Sequence, residues 1–253
     1  MTRLDAALVA SGLARSRARA REAVAAGRAR VDGAVVRKPS ADVPAGARLE
    51  VDAADAHVSR AAGKLIGALD DAAVAVPQRV LDAGASTGGF TQVLLERGAG
   101  RVYAVDVGHG QLDGSLRADP RVVVWERTNL RDLTIDHVEG APVQLAVGDV
   151  SFISLRLVLE PILSVLDDAG AALLLVKPQF EVGRSGLDSR GVVRSARLRQ
   201  EAVDGVVERA AELGWGCSWR GPSRLAGGTG NIEWFVKLER GVCQPPTASR
   251  VEA

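Results

Sequence analysis

The stretch from Leu81 to Phe90, Leu-Asp-Ala-Gly-Ala-Ser-Thr-Gly-Gly-Phe, constrains the fold more than any other part of the chain. It follows the strand-like Arg79-Val80 and ends in an acid before a turn that carries Gly84, Gly88 and Gly89. An amphipathic pattern then continues through Phe90, Val93, Leu94 and Leu95. Strand, glycine turn and helix, in that order, form the unit with which an α/β sheet brings its backbone close to an adenosine cofactor.

The details of the turn narrow the cofactor. A phosphate-binding loop needs a lysine followed by Ser or Thr after its last glycine, and this turn has none. Ser86 stands where a dinucleotide-binding turn has its middle glycine, and no basic residue lies nearby to meet a phosphate. Asp82 instead suits a cationic cofactor end, such as the amine of S-adenosyl-L-methionine. A second strand, Val102–Val105, ends at Asp106-Val107. Asp106 follows Gly84 by 22 residues, the offset at which an acid reaches ribose hydroxyls. The candidate cofactor residues are therefore Asp82, Gly84, Ser86, Thr87, Gly88, Gly89 and Phe90 in the turn. Asp106, Val107, Asn129 and Asp149 join them from later strand ends. An ordinary strand–helix turn would account for the glycines but not for Asp106.

Bulk charge says little, because the net charge is +1. Its distribution says more: residues 1–40 hold nine Arg and Lys against three Asp and Glu. That segment has the outline of a small module. Leu4, Leu8 and Val9 mark a short helix ending near Gly12. A second runs from an N-capping Ser16 to Ala26 and stops at Gly27. Short strands follow at 29–31, 34–36 and 48–51, with Asp32-Gly33 as a tight hairpin signal. Arg17 and Arg21 share a helix face, and Arg3, Arg15, Arg28, Arg30 and Lys38 extend a basic surface suited to sugar-phosphate. Charge alone fits a solvated arginine-rich surface equally well. The order Arg3-Leu4-Asp5, Ser16-Arg17, Gly27, Val31, Gly33 and Lys38-Pro39-Ser40 resembles the S4-type RNA-binding domain. That resemblance implies recognition of structured RNA by shape and phosphate contacts.

Other classes are disfavoured. Cys217 and Cys243 have no metal spacing, and their number suits a reducing compartment. His57, His109 and His137 are scattered, so no metal site is expected. The longest apolar run, Ala169 to Val176, is far short of the roughly 20 residues of a membrane helix. The start lacks the apolar core of a signal peptide, so a cytoplasmic protein with no membrane partner is expected.

From about residue 60, helices alternate with strands. Helices are predicted near 62–74, 88–97, 111–118, 153–166 and 196–213. Strands are predicted near 79–82, 101–105, 121–125, 143–148 and 171–176. This alternation argues an α/β fold with a parallel sheet covered on both faces. Gly216–Arg220 and Ile232–Leu238 close it as an antiparallel hairpin at one edge. The arrangement resembles the class I, Rossmann-like methyltransferase fold. The expected division is 1–55, a linker at 56–60, 61–239, and a disordered tail at 240–253.

In open α/β sheets the ligand site forms at the carboxyl ends of the strands. Asp149 and Lys177 lie at two such ends. A lysine there is costly unless paired, and Asp149 is its natural partner. Lys64 on the first helix and Glu233 among apolar neighbours fit the same pocket. Taken singly, each also reads as a surface charge.

Lys64, Asp149, Lys177 and Glu233 match in order and context the Lys-Asp-Lys-Glu tetrad of FtsJ-type RNA ribose 2′-O-methyltransferases. The motifs around them are Val58-Ser59-Arg60…Lys64, Gly148-Asp149-Val150-Ser151-Phe152, Val176-Lys177-Pro178-Gln179-Phe180 and Gly227-Gly228-Thr229-Gly230-Asn231-Ile232-Glu233. With the N-terminal module, the whole chain resembles the TlyA (hemolysin A-type) family. The resemblance implies S-adenosyl-L-methionine as cofactor and methylation of a cytidine 2′-hydroxyl in ribosomal RNA of the small or large subunit. Ribosomal subunits are the expected partners and a monomer the expected state, and proton loss from the 2′-hydroxyl makes Lys177 the expected base or hydroxyl-orienting group. Arg60, Arg184 and Arg190 are further RNA-binding candidates, the last two on a glycine-rich segment after Lys177 that is expected to order only on RNA. A non-catalytic RNA-binding factor and a hemolysin-like membrane-active protein are the competing readings.

Overall fold

Strands buried on both faces carry unbroken apolar runs, and two such runs, Leu145–Gly148 and Leu173–Val176, lie at the centre of the main sheet. The computed structural model describes residues 2–14, 17–25, 27–51 and 57–241, which fall into two compact units, Met1–His57 and Val58–Ala253.

In the first unit, β1 (Thr2–Arg3) leads into α1 (Leu4–Ala10), and α2 (Arg17–Ala25) follows. Then come β2 (Ala29–Val31), β3 (Ala34–Val35), β4 (Asp42–Val43) and β5 (Leu49–Val51). Strands β3, β2 and β5 form an antiparallel sheet, while β1 pairs with β4. Asp32 (φ 51°) and Gly33 (φ 80°) both adopt the left-handed conformation that a two-residue hairpin requires. Leu4, Leu8, Ala20, Val24, Ala29 and Val43 make its core. The predicted N-cap Ser16, together with Arg15, lies outside the described residues, as do Ala56 of the predicted linker and the tail from residue 242.

The second unit begins with α3 (Ala61–Asp71), which buries Ala62, Leu65, Ala68 and Leu69 at helical spacing. It continues through β6 (Arg79–Ala83), α4 (Gly89–Glu96), β7 (Arg101–Val105), α5 (Gly114–Arg117), β8 (Val122–Trp125) and β9 (Val143–Gly148). Next are α6 (Leu159–Ser164), β10 (Leu166–Val176), α7 (Pro178–Glu181), α8 (Ala196–Glu212), β11 (Trp215–Pro222) and β12 (Trp234–Arg240). The seven-stranded sheet has the order β11-β12-β10-β9-β6-β7-β8, parallel from β10 to β8. Alternate residues of each central strand feed two cores. Leu81, Ala146, Leu174 and Val176 meet α6 and α8 on one face. Val80, Leu145, Leu173 and Leu175 meet α3 and α4 on the other.

One departure from expectation is physical, and the expected edge hairpin is present. The helix predicted over 153–166 is a 3₁₀ turn at Leu155–Leu157 followed by the short α6. The final strand β12 is inserted between β10 and β11, antiparallel to both. Its register pairs Val176 with Trp234, so Lys177 and Glu233 emerge at the same end of neighbouring strands.

Candidate active site

The glycine turn is built by close approach. Gly84 (φ 85°) lies where a Cβ would stand 3.3 Å from the Asp149 carbonyl oxygen. Gly88 (φ 94°) caps α4 in a left-handed conformation. The Asp106 carboxylate closes the turn from the next strand, accepting from Ser86 N (2.8 Å) and Gly108 N (2.6 Å). A pocket opens beside it, with Ala85, Ser86, Asp106, Gln111, Trp125 and Glu126 among its lining. Ser86 also donates to Gln111 Oε1 at 3.1 Å. Gln111, Trp125 and Glu126 carry no sequence signal of their own; they reach the pocket because β7 and β8 run parallel and end together.

Asp82 is wholly buried at the end of β6. Its Oδ2 accepts from Thr91 Oγ1 at 2.6 Å, and its Oδ1 has no partner among the described residues. Burial raises its pKa to about 7; the Thr91 hydrogen bond opposes this, and the charges of Asp149 and then Asp106 add to it. An orphaned carboxylate oxygen beneath a left-handed glycine turn, with an acid on the neighbouring strand, fits a cofactor that brings its own cation and a ribose.

Other sequence candidates are placed differently. Phe90 is in the core, stacked on Phe235 at 6.3 Å between centroids, and not in the pocket lining. Asn129 caps a short turn by accepting from Arg131 N at 3.0 Å and does not line the pocket. Thr87 and Val107 are exposed, and the Thr87 carbonyl accepts from Asp113 N.

Two lysine–acid pairs stand at the ends of the central strands. Lys64 Nζ lies 2.6 Å from Glu233 Oε2, with both side chains under a tenth exposed. Lys177 Nζ lies 2.6 Å from Asp149 Oδ1 and donates to Ser151 Oγ at 2.6 Å. Gln179, two residues beyond Lys177 in the chain, donates to Glu233 Oε1 at 3.3 Å. Gly227 packs so closely on Glu233 that a Cβ there would stand 2.5 Å from Oε1. Buried ion pairs are poor stabilisers compared with apolar packing, so two of them at one sheet end mark a site of chemistry. Ser151 and Gln179 were missed in the sequence because each meets its partner across 26 or more positions.

The segment after Lys177, expected to order only on RNA, is tied down. Asp188 Oδ1 accepts from Arg190 N and Val192 N, and its Oδ2 pairs with Arg194 Nε at 2.9 Å. Those bonds, the Val192 N–H foremost, lower its pKa to about 2. The buried Asn231 side chain accepts from Val193 N and donates to the Gly191 carbonyl. Arg184 and Arg190 themselves are exposed. Arg60 is exposed too and donates to the Ala226 carbonyl at 3.2 Å.

In the first unit Lys38 is exposed and Arg28 and Arg30 are half-buried. Arg3, Arg17 and Arg21 converge on one carboxylate, that of Asp5. No helix among the described residues is long and apolar enough to cross a membrane, and no cluster of three or more His, Cys, Asp or Glu could hold a metal ion.

This sheet order, glycine turn and paired lysines define an S-adenosylmethionine-dependent methyltransferase, and residues 57–240 match the FtsJ-like methyltransferase family, with residues 2–49 matching the S4 domain. A Mycobacterium tuberculosis protein named 16S/23S rRNA (cytidine-2′-O)-methyltransferase TlyA is 51% identical over 239 residues, 93% of this chain and 89% of that protein. Hemolysin A of Brachyspira hyodysenteriae is 35% identical over 92% of this chain and 98% of its own. A solved structure from Streptococcus thermophilus that carries a hemolysin name aligns with TM-score 0.78 at 35% identity, covering 98% of this chain and 92% of that one. The chain belongs to the TlyA family of FtsJ-like methyltransferases.

Proposed function

We propose that the protein transfers a methyl group from S-adenosyl-L-methionine to a cytidine ribose 2′-hydroxyl in ribosomal RNA. The observation that carries this is the two lysine–acid pairs, the buried Lys64–Glu233 and the partly buried Lys177–Asp149, at one end of the sheet. The substrate follows the name of the relative that matches at 51% over nearly the whole chain. Both ribosomal subunits are candidate partners, the protein acting as a cytoplasmic monomer. Residues 1–55 serve as the RNA-binding domain, and the catalytic domain, expected over 61–239, extends through Arg240 at the end of β12.

Asp82 and Asp106 would hold the amine and ribose ends of the cofactor, which supplies an electrophilic methyl on a sulfonium. The 2′-hydroxyl must lose its proton as its oxygen forms the new C–O bond, while the electrons of the breaking C–S bond stay on sulfur. Asp149 and Ser151 hold Lys177 Nζ in one place, so its ammonium orients the hydroxyl, and it takes up the hydroxyl proton only as it hands one of its own to Asp149. Lys64, held by Glu233, supplies a second fixed cation beside the reacting ribose. Alignment of oxygen, methyl and sulfur supplies most of the rate.

The test is methyl incorporation from labelled cofactor into purified small and large ribosomal subunits and into naked RNA, with the modified ribose mapped. Lys177→Ala should abolish transfer and leave cofactor affinity within a few-fold by calorimetry. Near-normal turnover in that variant would remove Lys177 from the mechanism. The lytic reading has no specific observation in its favour.

A further inference from the structure

Asp5 lies in the first turn of α1 and is wholly shielded from water, yet its neighbours are charges. Arg3 Nε and Nη2 each stand 3.1 Å from its two oxygens in a bidentate fork. Arg21 Nε lies 3.0 Å from Oδ2, and Arg17 Nη2 lies 3.3 Å from the same oxygen. Arg17 and Arg21 are one turn apart on α2, whereas Arg3 comes from β1. The Asp5 backbone is fixed as well, since its N–H donates to the Pro39 carbonyl and Leu4 and Leu8 anchor α1 in the core.

The arithmetic of charge is uneven. One carboxylate meets three guanidinium groups, and about half of each arginine side chain stays exposed, 48%, 55% and 56% for Arg3, Arg17 and Arg21. A structural ion pair needs one arginine; three around one acid leave a surplus of positive charge on a rigid support, reduced but not cancelled by Asp42, which faces Arg3 across β1 and β4. The Arg3 hydrogen bond, with Arg21 and the charge of Arg17, holds the Asp5 carboxyl far below the usual carboxylate range, so it stays ionised at working pH. A loose arginine loses side-chain entropy when it grips a phosphate; one already locked has lost it during folding.

We propose that Asp5 is a positioning residue that assembles Arg3, Arg17 and Arg21 into one preformed site for the phosphate backbone of RNA. The proposal rests on the reading of the N-terminal unit as an RNA-binding module. It carries an unusual sign. Simple electrostatics says that removing an acid from a basic surface tightens RNA binding and steepens its salt dependence. Preorganisation says the reverse.

The experiment measures affinity of the full chain for purified, deproteinised 16S and 23S ribosomal RNA across a salt series. Asp5→Asn should weaken binding by roughly 3- to 10-fold and flatten the slope of log affinity against log salt. Equal or tighter binding overturns the proposal. Circular dichroism and cofactor calorimetry check that both units remain folded. Should Asp5→Asn unfold, Arg3→Lys decides instead: it keeps the charge and loses the fork. Several-fold weaker binding supports the proposal and unchanged binding overturns it. If the unaltered protein itself fails to bind ribosomal RNA, the RNA-binding reading of the module falls first, whatever the variants do.

Discussion

At the scale of single residues, the site consists of charges in places where charge is costly. The Lys64–Glu233 pair separates a structural role from a chemical one. Glu233→Leu alone strands a buried ammonium and should cost about 3–5 kcal/mol in denaturant unfolding. The double change Lys64→Met with Glu233→Leu should recover most of that stability and still lack methyl transfer; recovery of both would mark the pair as scaffolding. Asp82 makes a different case. Its pKa is raised to about 7 from an ordinary 3.8, so the folded state holds a proton that the unfolded chain releases. The stability this provides is complete below about pH 4 and is lost as pH rises through about 7. Asp82→Asn should therefore melt higher than the native protein, by a margin that grows from pH 4 to pH 7 and then levels off. Cofactor binding should release a proton near neutral pH if the bound cation meets ionised Asp82. Calorimetry in two buffers of different ionisation enthalpy reads that directly, and identical heats in both would separate Asp82 from the cation.

At the scale of elements, the glycine turn and the strand ends set the precision of the site. Gly88→Ala would force a non-glycine residue to φ 94° and drive a Cβ to 2.3 Å from Leu116 Cδ1. A loss of about 1–3 kcal/mol is expected, together with weaker cofactor binding, because α4 and the pocket share that corner. The same elements account for what the sequence revealed. The central strands were legible because burial on both faces leaves apolar runs with no competing pattern. The pairing of β1 with β4 was not, since two-residue strands have no periodicity to read. The 153–166 stretch misled because its apolar residues are as dense as a helix needs, while Pro161 removes a backbone donor from its middle. Lys64, Asp149, Lys177 and Glu233 stood out as charges among apolar residues. Ser151, Gln179 and Asp5 are ordinary polar residues locally, and only the fold shows their partners.

At the scale of the whole molecule, charge is segregated along a chain that is nearly neutral overall. RNA affinity should then respond to salt while cofactor affinity does not. Between 50 and 200 mM salt, the KM for ribosomal RNA should rise by roughly ten-fold or more, with the cofactor Kd unchanged within about two-fold. Parallel loss of both would place the salt effect on the fold. The sheet order has one more outcome, in the time domain of synthesis. The three other members of the lysine–acid constellation belong to α3, to the end of β9 and to the residue after β10, whereas Glu233 precedes β12, the last strand among the described residues and one that sits inside the sheet. A ribosome making this protein releases Lys64, Asp149 and Lys177 long before it releases their fourth companion. The nascent chain can hold its cofactor turn and its RNA-binding module while its chemistry is still missing. Activity therefore waits for Glu233, the last of the four to be made, long after the cofactor turn and the N-terminal module have emerged.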